Sequence, residues 1–425
     1  MKFSKFLRAA PALLVLVTAS YGYAAEVVEP ESVGLSSERL ERIGELMERH
    51  IEAGSFSGAV TLVARHGKIA HLEAHGLMDI DAKTPMRTDA IFRLASMTKP
   101  VTAVAVLMLV EEGRIRLTDP VSKYLPSFEN QKVAVIRNPS AGGGYGGPPP
   151  EYDTVPAERD ITIADLLTHT SGFMSGRVGN AESQAFYARR EEIGLRLVDE
   201  MGQMPLDFQP GSRWSYSAVG GFDVLARIVE VVSGQSFAEF LQSRLFGPLG
   251  MKDIFYWPND AQRRRLAKTY MGGPNGLQPR PDPDSMSSPV YFSGAGGLMG
   301  TAEAYARFAM MLANGGELDG VRILSPRAVK LMGSAVIEEG LEGLNTGIHP
   351  SRPPGEGFGL GVSVVADPVA RRSLVSKGSF GWSGFYGTYF WVDPQENLAA
   401  LLMVQTYSND AWFEFESAVM QAVVD

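Results

Sequence analysis

Cysteine is absent from this 425-residue chain. That excludes disulfides, thiolate metal sites, a thiol nucleophile and a lipid-bearing cysteine, so stability has to come from a large buried core. Histidine is scarce, at six residues: His50, His66, His71, His75, His169 and His349. No group of histidines and carboxylates stands at metal-ligand spacing, so no metal and no other cofactor is expected. Gly-x-Ser-x-Gly does not occur, which removes the sharp strand-to-helix nucleophile turn that this motif marks. Beyond the leader, no run approaches the roughly 18 apolar residues of a spanning helix, so membrane insertion is not expected. The formal charge of -9 argues against nucleic acid and against anionic membrane surfaces as partners. A small, neutral substrate is the partner such a surface accommodates most easily.

What is there begins with Lys2, Lys5 and Arg8 ahead of an apolar run over residues 9–18 and a small-x-Ala site at Gly22-Tyr23-Ala24. This pattern predicts a signal peptide over residues 1–24 and a periplasmic or secreted mature protein. The roughly 400 residues left exceed one compact core and predict two domains. Residues 36–53 carry Leu40, Ile43, Met47 and Ile51 at helical spacing behind Ser36 or Ser37 as cap. Residues 59–64 and 68–74 flank His66-Gly67 as a hairpin. From Ser96 to about Gly113 the chain reads as a helix apolar on nearly every side, hence buried. Five glycines and three prolines in residues 140–150 predict a long exposed loop. Helical patterns at 163–167, 185–201, 222–233 and 237–245 make the middle of the chain look all-helical. Strand patterns return at 360–365, 387–392 and 398–405, with a turn at Asp393-Pro394, and a helix closes the chain over 411–424. The fold class expected is α/β (α+β): an antiparallel sheet flanked by helices, built from residues 25–118 and 295–425, with residues 119–294 as an inserted mainly helical domain.

Ser96-Met97-Thr98-Lys99 is the only Ser-x-x-Lys in the chain. Roughly one such tetrad arises by chance in a chain of this composition, and a capping serine with a solvated lysine would look the same. Position favours chemistry. Residues three apart share a helix face, so the amine reaches the hydroxyl, and the helix N-terminus favours a developing anion. Serine is a weak nucleophile until a base takes its proton, and a lysine can act so only when neutral, which a site that excludes water promotes.

Read in order, Ser96-Met97-Thr98-Lys99, Leu166-Leu167-Thr168-His169-Thr170-Ser171-Gly172, Tyr216-Ser217-Ala218, Gly294-Ala295-Gly296-Gly297-Leu298 and Trp382-Ser383-Gly384 resemble the serine β-lactamase and penicillin-binding protein superfamily. The resemblance covers nearly all of the mature chain and is closest to class C β-lactamases and family VIII carboxylesterases. It implies a β-lactamase-like fold, Ser96, Lys99 and Tyr216 as the catalytic set, and the N–H groups of Ser96 and Phe385 as oxyanion hole. Trp382, Ser383 and Gly384 stand at the substrate-binding third motif, where Trp382 replaces the cation usual in β-lactamases, and Ala218 replaces an amide-bonding asparagine. His169 belongs by its setting to a structural turn. The activity implied is hydrolysis of short-chain carboxylic esters, favouring neutral over anionic substrates, with weak β-lactam hydrolysis. Two alternatives are a class C-type β-lactamase or D-amino acid peptidase, and a non-catalytic binder of cell-wall peptides.

Overall fold

In the computed structural model of the chain, residues 27–138, 148–273, 276–281, 287–337, 341 and 354–425 are described. The expected leader over residues 1–24 and most of the loop expected over 140–150 lie outside them. An eight-stranded sheet organises the molecule, and both ends of the chain contribute to it. Its strands are β1 (Gly58–Arg65), β2 (Lys68–Asp79), β3 (Thr84–Pro85), β4 (Glu356–Phe358), β5 (Ser363–Val365), β6 (Phe380–Ser383), β7 (Tyr389–Asp393) and β8 (Leu398–Met403). They pair antiparallel in the order β4-β5-β6-β7-β8-β1-β2-β3, so β1 closes against β8 and joins the two ends of the chain.

Successive strand residues point to opposite faces. On β7, Phe390 and Val392 enter one apolar cluster and Trp391 the other. The sheet is therefore buried on both sides. The outer face is covered by α1 (Ser37–Glu52) and by α5 (Asn409–Met420), which pack on each other. Ser36 Oγ accepts the N–H of Arg39 and caps α1, a bond worth about 1 kcal/mol. The inner face carries α2 (Thr98–Glu111), α3 (Gly220–Ser233) and α4 (Ala302–Ala313). Every residue of α2 from Thr98 to Leu109 is buried, as its nearly all-round apolar sequence requires.

Two stretches differ from the sequence reading. Residues 119–294, expected to be mainly helical, also hold a hairpin of Lys132–Ile136 with Tyr152–Pro156 and another of Tyr270–Gly273 with Gly276–Pro279. The helix expected over 185–201 is broken into Arg177–Tyr187, Arg190–Ile193 and Val198–Met201, with Gly194 at φ 59° between the last two. The strand expected over 360–365 is confined to Ser363–Val365, because β4 and β5 form a tight hairpin that turns through Gly361 at φ 76°.

Candidate active site

Ser96 stands where the inner-face elements converge. The two-residue strand Phe92–Arg93 pairs with Met299–Gly300, and Leu94 N–H donates to Leu298 O, so the chain enters the serine from a fixed direction. Ala95 then adopts φ 45°, a backbone state that costs a non-glycine residue on the order of 1 kcal/mol and recurs at functional turns. A 3-10 turn over Ala95–Met97 feeds directly into α2, and Tyr305 donates to Met97 O at 2.8 Å. Rigid elements therefore hold the nucleophile from three sides.

Lys99 follows one turn into α2 and is completely buried. Its Nζ lies 3.3 Å from Ser96 Oγ, 2.6 Å from Ala218 O and 3.0 Å from Ala295 O. A neutral amine has two N–H donors and one lone pair. The two carbonyls take two of these positions, so the third position on the nitrogen faces the serine hydroxyl. Tyr216 completes the set: its hydroxyl is 2.9 Å from Ser96 Oγ, its ring is buried, and Lys99 Nζ sits 4.9 Å from the ring centre. Ser96, Lys99 and Tyr216, far apart in sequence, are thus brought together.

The supporting groups come from three segments. His169, at φ 59°, accepts the Ser215 N–H with its carbonyl and the Ser217 N–H with Nδ1, and its ring lies 4.7 Å from that of Tyr216. It holds the Tyr216 loop without reaching Ser96 itself, in keeping with a structural turn. The Gly294-Ala295 segment lies directly on α3: a Cβ on Gly294 would sit 2.2 Å from Phe222 O, so glycine is required there. Thr102 Oγ1 donates to Gly294 O, and Asp223 of α3 accepts from Tyr187, Tyr291, Ser293 and the Ala295 N–H. Burial raises the Asp223 carboxyl above its ordinary range, and these hydrogen bonds offset only part of that rise. Through Ala295, Asp223 fixes one of the two carbonyls that hold Lys99. Sequence reading missed Asp223, although one carboxylate inside the apolar run of α3 was a signal available to it.

The three residues of the third motif meet different surroundings. Trp382 is buried, its ring 5.6 Å from Tyr216 and 5.4 Å from Phe358, so it backs the tyrosine. Ser383 borders an outer-face opening with Arg371 and Trp391. Gly384 permits a close approach within the protein: a Cβ there would meet Leu94 O at 2.4 Å and Thr388 Oγ1 at 2.2 Å. This contact brings the end of β6, and with it half-exposed Phe385, to the segment that carries Ser96. The opening beside Ser96, about 550 Å³ with its mouth included, is bordered instead by Tyr187, Arg190, Val219, Tyr291 and Gly296. Arg190 is the cation there, and nothing in its Arg-Arg-Glu-Glu run distinguished it from a solvated charge.

Comparison with known proteins shows the family of the chain. The family profile described as Beta-lactamase matches residues 43–420. "Protein Rv1367c" of Mycobacterium tuberculosis is 38% identical over 374 residues, covering 83% of this chain and 87% of that protein. "Esterase EstB" of Burkholderia gladioli is 32% identical over 411 residues, covering 90% of this chain and 94% of the esterase. Among solved structures, "EstCE1, a hydrolase with promiscuous acyltransferase activity" superimposes with a TM-score of 0.74 at 24% identity, over 90% of this chain and 99% of its own.

Proposed function

We propose that this chain, a serine hydrolase that belongs to the beta-lactamase family, cleaves short-chain carboxylic esters through an acyl-enzyme on Ser96. The observation that carries the reading is the convergence of Ser96 Oγ, Lys99 Nζ and Tyr216 Oη within hydrogen-bond reach at one small opening. Likeness to an esterase over nine-tenths of the chain supports the choice of ester over amide.

In the forward step Ser96 Oγ bonds to the ester carbonyl carbon and its proton passes to the Lys99 amine. Charge collects on the carbonyl oxygen, which the N–H groups of Ser96 and Phe385 would receive. The bond from carbon to the alkoxy oxygen breaks as Tyr216 Oη hands that oxygen a proton and is itself re-protonated from Lys99. The alcohol departs, and water attacks the acyl-serine by the same proton route in reverse. Weak β-lactam opening needs no further group, since it differs only in the leaving atom. Export belongs to the same proposal and rests on the basic, then apolar leader.

The test is direct. Ser96→Ala should reduce turnover of nitrophenyl esters by at least about 10⁴-fold, because the acyl group would lose its point of attachment. A fluorophosphonate should add its mass to the peptide that contains Ser96. An adduct on Ser171 or Ser383 would overturn the assignment, and faster turnover of nitrocefin or D-alanyl peptides than of esters would move it to one of the alternatives.

A further inference from the structure

The third motif lacks a cation, yet the opening beside Ser96 has one from another element. Arg190 starts the short helix Arg190–Ile193, in the stretch where the expected long helix breaks. Its side chain is one third exposed. The only ionic contact it makes among the described residues is Nε to Glu191 Oε1 at 3.5 Å, and Glu191 is itself held by Ser288 Oγ at 3.0 Å. That contact engages the Nε side of the guanidinium and leaves the Nη side for a ligand, in a fork geometry that matches a carboxylate. The rest of the opening suits an aromatic ring. Tyr187 and Tyr291 present their rings at 6.1 Å from each other, with both hydroxyls tied down to Asp223, and Val219 adds an apolar wall.

We infer that Arg190 makes this enzyme selective for esters that carry a carboxylate on an aryl group, with the ring packed against the edge-to-face pair of Tyr187 and Tyr291 and the carboxylate on the Arg190 guanidinium. The inference rests on the Ser96 reading and names its substrate class. It reverses the preference for neutral substrates that Trp382 alone suggested, because Trp382 backs Tyr216 and does not border the opening. A second arginine, Arg280, lies 4.7 Å over the ring of Phe385, the residue whose N–H the resemblance assigns to the oxyanion hole. Arg280 engages a ring face there, and it does not border the opening.

The experiment compares 4-acetoxybenzoate with 4-acetoxybenzamide, substrates alike in size and differing in charge, and reads the ratio of their kcat/KM values. The protein should prefer the carboxylate by about ten-fold to a hundred-fold, the worth of one charge-assisted pair. Arg190→Gln should bring the ratio to about one, Arg190→Lys should retain part of it, and Arg190→Glu should invert it. A folding defect would lower both rates together and could not invert their ratio. Arg280→Gln should keep the preference. Equal rates in the unmodified protein, or a preference lost in Arg280→Gln and kept in Arg190→Gln, would overturn the inference while ester turnover and the Ser96 adduct stand. Absence of any turnover or adduct would instead refute the Ser96 reading on which it depends.

Discussion

Lys99 and Arg371 are both buried basic side chains, one on each face of the sheet, and their partners differ in kind. Arg371 donates to Glu416 through both Nη atoms, at 2.7 and 2.9 Å, and to Glu356 through Nε at 2.9 Å, while Tyr389 also donates to Glu416. Burial pulls its guanidinium down, but Glu416, Tyr389 and Glu356 more than reverse this, so the group is held above its already high ordinary range. Lys99 has two backbone carbonyls and a hydroxyl as partners, and no carboxylate forms an ion pair with it among the described residues. A buried cation locked by carboxylates is fixed in charge and serves structure. A buried amine held by neutral acceptors has no fixed counter-charge beside it, which is the setting that the proposed base requires.

The largest expected effect comes from making the first site resemble the second. Lys99→Arg keeps a cation next to Ser96 but removes the capacity to give up a proton, since a guanidinium stays protonated in proteins. Ester kcat/KM should fall by about 10² to 10⁴-fold, the contribution of a positioned proton acceptor. Unchanged turnover in a folded Lys99→Arg protein would break the comparison, because a fixed charge would then suffice.

The converse change acts on stability. Arg371→Met leaves Glu356 and Glu416 facing each other without their shared partner, and removing one member of a buried ionic cluster costs about 3 to 5 kcal/mol. A lower denaturation midpoint with ester turnover kept within a few-fold is the expected pair of results. Loss of activity at unaltered stability would tie the outer-face cluster to the chemistry and dissolve the distinction.

The two regions were unequally legible in the sequence. Ser96 and Lys99 lie three residues apart on one helix, and apolar residues fill the rest of α2, so spacing and burial both pointed to them. β1, β2, β7 and β8 followed from alternation, a turn and a hairpin signal. Tyr216 was reachable through the resemblance alone, since it meets Ser96 across 120 positions. The Arg371 cluster joins β4, the short helix Pro368–Arg371, β7 and α5, and no local pattern announces which of many Arg and Glu residues meet. Arg190 was hidden for the same reason. The hairpins at 132–156 and 270–279 were not legible as strands because short two-stranded ribbons with exposed residues such as Val135 and Val155 carry little alternation. Trp382 was assigned to substrate because motif position says nothing about which side of a strand a side chain occupies.

A third buried basic group sharpens the comparison at the smallest scale. His71 on β2 is buried and hydrogen-bonded to the Thr61 hydroxyl at 2.8 Å, with Glu73 no closer than 3.9 Å. Burial, with a smaller contribution from His75, lowers its pKa to about 4 from an ordinary 6.5. Here, with no close carboxylate, the charge is given up altogether. Above pH 6.5 the ring is neutral whether the chain is folded or not, and it contributes no pH dependence. Between about 6.5 and 4 the unfolded chain binds a proton that the folded chain refuses, so stability falls as the pH is lowered through that window. The full loss amounts to about 3 kcal/mol at one pKa unit per 1.36 kcal/mol. Carboxylates elsewhere titrate in the same range, so the informative quantity is the difference between the protein and His71→Gln, whose amide can still bond Thr61. Their stabilities, measured by chemical denaturation at a series of pH values, should lie a constant distance apart above pH 7 and converge or cross on acidification toward pH 4. Parallel curves through the whole range would mean that His71 is protonated as readily inside the fold as outside it, and that a hydroxyl partner is enough to keep a buried cation charged.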